Sequence, residues 1–93
     1  MAPLIDVIKR GGRPSEAFDR TKLHRSIVAA CLSVRTPHGQ ADDIAARACD
    51  GVVLWLVDRP QITSADLRRK AADSLHAHHP EAAYLYRHHT MII

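Results

Sequence analysis

Val7-Ile8-Lys9-Arg10-Gly11-Gly12-Arg13-Pro14-Ser15-Glu16-Ala17-Phe18-Asp19 is the stretch on which the reading of this chain turns. The branched apolar residues from Leu4 to Lys9 predict a strand. Gly11-Gly12 predicts a turn, because glycine accepts a positive φ without steric cost. Pro14 narrows the path, and Ser15 to Phe18 predicts a short return strand. A two-stranded hairpin is marginal in water, so this one must pack on the rest of the chain. Two cations, Lys9 and Arg10, stand where the first strand enters the turn. Asp19 is a good N-cap for a helix that brings a third cation, Lys22. Cations beside a glycine turn and a helix N-terminus suit a phosphate-bearing ligand.

Beyond the hairpin the chain reads as helical. A first helix is predicted over residues 20–34, with Leu23, Ile27, Cys31 and Val34 on one apolar face. Pro37 and Gly39 read as breakers in a loop over residues 35–40. A second helix is predicted over residues 41–57, with Ile44, Ala48, Val52 and Leu56 on one face, widened by Ala45, Val53 and Trp55. Gly51 inside it either weakens the helix or permits a close helix contact. Asp58-Arg59-Pro60 ends it. Gln61 to Thr63 reads as a third short strand, and Thr63 and Ser64 as N-caps of a third helix over residues 65–78, with Leu67, Ala71 and Leu75 in register. Thr63 with Asp66 resembles a capping pair. Pro80 opens a fourth helix running to the end of the chain. The predicted fold is α+β and mostly α: a four-helix bundle capped by a β-hairpin or a small three-stranded sheet.

The 93 residues are enough for one domain, 1–93. Composition is 46% hydrophobic but only 4% aromatic, so Ala, Leu, Ile and Val must fill the core. The net charge of +3 comes from interspersed charges rather than a polycationic run. Cys31 and Cys49 form no CxxC pair, which excludes a zinc ribbon and leaves buried free thiols as the default. Met1 to Ile8 is too short for a signal peptide and carries Asp6. The longest apolar run, Val52 to Val57, is far below the ~20 residues of a membrane span. A soluble, cytoplasmic protein is expected.

Catalytic chemistry is not legible. There is no GxxxxGK[ST] or GxGxxG loop and no Ser-His-Asp arrangement with a placed base, so the chain is not expected to be an enzyme. His76 and His79 stand three apart and could share a metal, but histidines near helix ends more often complement the dipole, and no metal site is assigned. Trp55, Tyr84 and Tyr86 could stack on bases, but their spacing with Ala and Leu favours core packing. What remains is the constellation Lys9, Arg10, Glu16, Asp19 and Lys22. The lysines and arginine can offset the several charges of a triphosphate. Glu16 and Asp19 suit the exocyclic amine of adenine, or ribose hydroxyls, better than phosphate. A solvated hairpin followed by a capped helix is the plain alternative.

The order of motifs is distinctive: Val7-x-Lys9-Arg10-x-Gly12, Glu16-x-Phe18-Asp19, Lys22-Leu23, Ile62-Thr63-Ser64-x-Asp66-Leu67 and Ala82-Ala83-Tyr84-Leu85-Tyr86-Arg87. Taken together they resemble the ATP-cone domain, found at the N-terminus of many ribonucleotide reductase large subunits and in the transcriptional repressor of reductase genes. The resemblance runs from about residue 5 to residue 87. It implies four helices covered by a three-stranded mixed sheet, and a site taking ATP or dATP as an allosteric signal, with Mg2+ as the ion that could accompany it. By motif, Val7, Lys9 and Arg10 would lie on the first strand with the cations at the phosphates, Glu16 and Asp19 at the adenine end, and Lys22 along the site. Thr63 or Ser64, and Arg68, would lie near sugar or phosphate. Gly11 stands where the family usually has an acidic residue, Asp19 where some members have Asn, and Arg68 where some have His.

The expected function is therefore an adenine-nucleotide-binding regulatory module, free-standing or a piece of a larger assembly, with its ligand between the hairpin and the first and third helices. Occupancy would bias association with a protein partner or with a second copy. The alternative is a small nucleic-acid-binding helical module, supported by Arg13, Arg20, Arg25 and Arg68-Arg69-Lys70. Nucleic acid is the lesser expectation because the charges are mixed.

Overall fold

A computed structural model describes residues 5–9 and 14–88. The glycine turn with Arg10 and Arg13, the start of the first strand at Leu4, and the segment from His89 onward lie outside the described residues. The elements are β1 (Asp6–Ile8), β2 (Glu16–Ala17), α1 (Arg20–Ser33), α2 (His38–Leu56), β3 (Gln61–Thr63), α3 (Ser64–His76) and α4 (Pro80–His88). The fold is the mostly helical α+β arrangement expected, with a three-stranded mixed sheet in the order β2-β1-β3. β2 pairs antiparallel with β1, Val7 opposite Glu16. β3 pairs parallel with β1, Val7 opposite Ile62. A parallel partner requires a long crossover, here β2, α1 and α2.

Each helix packs on its neighbours in the chain and α4 closes back on α1, while β1 and β3 lie against α3. Val7 and Ile62 turn inward from the sheet to join Leu23, Ile27, Cys31, Val52, Leu56, Leu75 and Tyr86 in one core. The rest of that core is largely alanine, so the helices approach closely. Gly51 marks one such approach: a Cβ there would collide with Ser74 Oγ, which donates to the Ala48 carbonyl at 2.8 Å across the α2–α3 contact. Of the two readings of Gly51, close helix contact is the one the packing requires. Both cysteines are buried and free, and burial pushes the Cys49 thiol up to about 11.

Two boundaries differ from expectation for local reasons. α2 begins at His38 rather than Ala41, its first i→i−4 bond running from Ala41 N–H to the Pro37 carbonyl at 2.9 Å. Gly39 thus falls in the first turn, where amides need no intrahelical partner and a breaker does little harm. α1 ends in a Schellman motif: Arg35 at φ 64°, with Thr36 N–H bonded to Cys31 O and Arg35 N–H to Leu32 O, both at 3.0 Å.

The aromatic residues also divide. Tyr86 is buried with Ala82 and Ala83, which lie one helical turn back, but Tyr84 is 70% exposed. Residues two apart on a helix point to opposite sides, so the two tyrosines cannot share a core face. Tyr84 instead stacks on His88, ring centroids 4.4 Å apart. Trp55 is half-buried, with the Arg59 guanidinium 4.6 Å from its ring centroid. His79 is engaged within the fold: its Nε2 bonds Thr36 Oγ1 at 2.8 Å and its Nδ1 accepts the Ala82 N–H at 3.4 Å. Among the described residues no group of three or more metal-ligating side chains is gathered. No described helix is long and apolar enough to cross a membrane.

Candidate functional site

The site begins with the pleat of β1. Val7 faces the core, Ile8 faces out, and the next position, Lys9, turns back to the Val7 side, where the strand has ended. β2 places Glu16 beside it. Lys9 Nζ lies 3.1 Å from Glu16 Oε1. Lys22 Nζ reaches the same oxygen at 2.8 Å from the first turn of α1. One carboxylate thus holds two ammonium groups from two elements at one point. The two lysines, through hydrogen bonds and charge, Lys22 foremost, hold the Glu16 carboxyl below its ordinary range.

Behind this cluster lies an open-mouthed recess. Val7, Phe18, Leu23 and Leu67 make its apolar walls, and Asp19, Ser26, Ser64 and Tyr86 add polar groups. It lies where the sheet, α1, α3 and α4 meet. A charged mouth over an apolar pocket with a few convergent polar groups suits a ligand with an anionic end and a flat apolar end.

Of the residues singled out from the sequence, Val7, Lys9, Glu16, Asp19, Lys22 and Ser64 line this one recess. Thr63 does not: its hydroxyl accepts the Asp66 N–H at 3.0 Å as the N-cap of α3. Arg68 lies one turn beyond Ser64, outside the recess lining, with its Nε buried and without a hydrogen-bond partner among the described residues. Arg10 lies outside the described residues. One expectation needs correcting. Two of the first amides of α1 are not open to a ligand, because Asp19 Oδ1 takes the N–H of Thr21 at 2.9 Å and of Lys22 at 3.3 Å. The aspartate that starts the helix thus occupies part of its anion-binding end.

Lining residues that the sequence reading did not assign to the site are Ala17, Phe18, Leu23, Ser26, Leu67 and Tyr86. Ser26 had a signal, since it shares the apolar face of α1 with Leu23, Ile27 and Ala30. It is the one buried polar residue among those described.

Fold and recess together define a small, mostly helical domain with a charged-mouthed pocket, and comparison with known proteins assigns its family. A family model for the ATP cone domain matches residues 5–90, and the chain belongs to that family of nucleotide-binding regulatory domains. The chain is 40% identical over 85 residues to the transcriptional repressor NrdR of Thermosynechococcus vestitus. The match takes in 87% of this chain but 48% of the repressor, so the chain spans about half of that relative's length. No solved structure matches the chain significantly.

Proposed function

We propose that this chain is an adenine-nucleotide sensor whose recess takes ATP or dATP and whose occupancy biases its association with a protein partner or with a second copy. The convergence of Lys9 and Lys22 on Glu16 Oε1, at 3.1 and 2.8 Å, carries the reading. Two ammonium groups held together at the mouth are a ready phosphate site, with Glu16 as the counter-ion that a phosphate displaces. Released from the lysines, Glu16 is an acceptor for ligand hydroxyl or amino hydrogens, and Asp19 keeps a second carboxylate oxygen for the same purpose. Ser64 supplies a hydroxyl from the start of α3. The Arg68 Nε, unpartnered among the described residues, is a donor that an anionic ligand would satisfy if the side chain swings to the mouth. Mg2+ would enter with the triphosphate.

Binding alone shifts no equilibrium; the two association states must differ in affinity for the ligand. Titration calorimetry with ATP, dATP and GTP, with and without Mg2+, tests the site. Sedimentation with saturating nucleotide tests the association. Submillimolar binding of either adenine nucleotide is expected; heat within noise for both would remove the proposal.

The nucleic-acid reading, drawn from Arg13, Arg20, Arg25 and Arg68-Arg69-Lys70, gains support from the repressor relative. Against it, several cations that would meet a phosphate backbone are paired with carboxylates: Arg20 with Asp50, Arg69 with Asp66, and Arg87 with Asp73. A complex that persists at low salt and weakens steeply as salt rises would favour it.

A further inference from the structure

α1 starts just after β2 and α3 just after β3, so the α1–α2 and α3–α4 connections meet at the end of the bundle remote from the sheet. One histidine joins them. His79 stands between α3 and α4, and its Nε2 lies 2.8 Å from the Oγ1 of Thr36, between α1 and α2. Its Nδ1 accepts the Ala82 N–H, in the first turn of α4, at 3.4 Å. That bond is long, but Ala82 is fully buried, and its N–H has no backbone acceptor among the described residues. Water cannot stand in for the imidazole there. The ring is therefore held as one tautomer: Nδ1 carries the lone pair, and Nε2–H donates to Thr36.

We propose that His79 is a proton-sensitive clasp: neutral, it holds the start of α4 to the α1–α2 connection, and on taking up a proton it lets go. An imidazolium has no lone pair. Its Nδ1–H would face the Ala82 N–H, donor against donor, where water does not reach. The charge would also stand at the N-terminus of α4, the positive end of the helix dipole. Three other histidines stand where positive charge is favourable. His24 Nε2 lies 2.7 Å from Asp42 Oδ1, and His76 and His88 occupy the last turns of their helices. The titratable groups on the segments that meet at His79 are Arg35 and His38 flanking Thr36, His76 and His78 at the end of α3, and Glu81 in the first turn of α4. None is hydrogen-bonded or ion-paired to the ring among the described residues. Asp42 and Asp43, a turn further into α2, are held by His24 and Arg47. The unfolded chain takes this proton freely and the folded chain only by opening the clasp. The stability it contributes is thus present at neutral pH and lost as pH falls. Because α4 carries Tyr86, which lines the recess, its loosening reaches the candidate site. The clasp itself does not depend on what the recess binds.

Nuclear magnetic resonance on the whole chain tests the clasp without any ligand. At neutral pH the ring nitrogen shifts of His79 should show a hydrogen on Nε2 and none on Nδ1. Amide exchange of Ala82 and Ala83, corrected for the intrinsic rate, should then be followed from about pH 7.5 to about pH 5, the interval in which imidazoles titrate. Relative to the amides of α1, it should quicken by about ten- to a hundredfold, the effect of leaving one buried donor without an acceptor. In H79N the asparagine still caps the helix and takes up no proton, so the quickening should vanish. A hydrogen on Nδ1 at neutral pH overturns the proposal. So does an acid response of α4 that is equal in H79N and the unaltered chain. If H79N is poorly folded, the unaltered chain decides alone. There, α4 protection that stays level to the acid end, or that falls only together with that of α1, overturns the proposal.

Discussion

Lys22 Nζ lies 2.8 Å from Glu16 Oε1, joining the first turn of α1 to β2 across the mouth of the recess. Lys9 shares the same oxygen, so the positive charge that would draw a phosphate is already half-neutralised by the protein. This makes Glu16 an internal competitor of any anion. E16Q should raise affinity for inorganic tripolyphosphate by about three- to tenfold, because the competing charge is gone while the side chain's shape remains. ATP should gain less, since an acceptor for its sugar or base is weakened. Calorimetry with both ligands measures the difference.

The same cluster has an acid limb. Glu16's carboxyl is depressed in the folded chain by the two lysines. Its contribution is therefore complete above its ordinary value of 4.5 and is lost as pH falls through the lower folded value. Melting temperatures taken from about pH 6 down to about pH 3 should decline less in E16Q than in the unaltered chain, the two curves converging at the acid end.

Lys9 and Lys22 are not equivalent. The Lys9 side chain is 17% exposed and that of Lys22 53%. Water and salt screen the second charge more than the first. K9A should cost ATP affinity on the order of 10- to 100-fold, the worth of a charge-assisted hydrogen bond in a partly buried site. K22A should cost less, and its deficit should shrink as salt is raised. Titrations at two salt concentrations separate the two.

Gly51 and Ser74 should behave as a coupled pair. G51A adds a Cβ where Ser74 Oγ sits. Rotating the serine away forfeits its bond to Ala48 O, cancelling the ~1 kcal/mol that alanine gains over glycine in a helix. In an S74A background the space is free, since the Ser74 Cβ lies at an ordinary 3.4 Å from the added atom. There G51A should stabilise by about 0.5–1 kcal/mol. A double-mutant cycle in urea reads the non-additivity, and additive effects would show that the helices can part to admit the methyl.

Thr63 and Arg35 test the backbone devices. T63A removes the N-cap of α3 and should cost about 1 kcal/mol of stability. Because Thr63 does not line the recess, ATP affinity should be unchanged; a matching affinity loss would place the residue at the ligand instead. R35G should stabilise by up to about 1 kcal/mol, since Arg35 holds φ at 64°, a conformation costly for any residue with a Cβ. Thermal melts measure both.

Much of the fold was readable from local pattern. Asp19, Thr63 and Pro80 each announce a helix start, because capping is satisfied within a few residues of the chain. The four-residue spacing of Leu67, Ala71 and Leu75 specifies a buried stripe whatever lies against it. α2 was misplaced at its start because Gly39 breaks helices only in the interior, and composition does not tell the first turn from the interior. Tyr84 was misread because it sits among the small residues of α4, two positions from a tyrosine that does enter the core.

By itself the sequence determined the elements, their order, the family and the cluster of charged residues near the N-terminus. These depend on short-range periodicity, caps and motif order. Only the tertiary structure decided which of those charges meet, and what lies beneath them. Glu16 lies between two lysines because a strand pairing and a helix entry deliver them to the same point. Ser26 and Tyr86 touch although 60 positions apart, because α4 folds back on α1. Contacts of that kind depend on how helices pack, and packing is a property of the whole core rather than of any stretch within it.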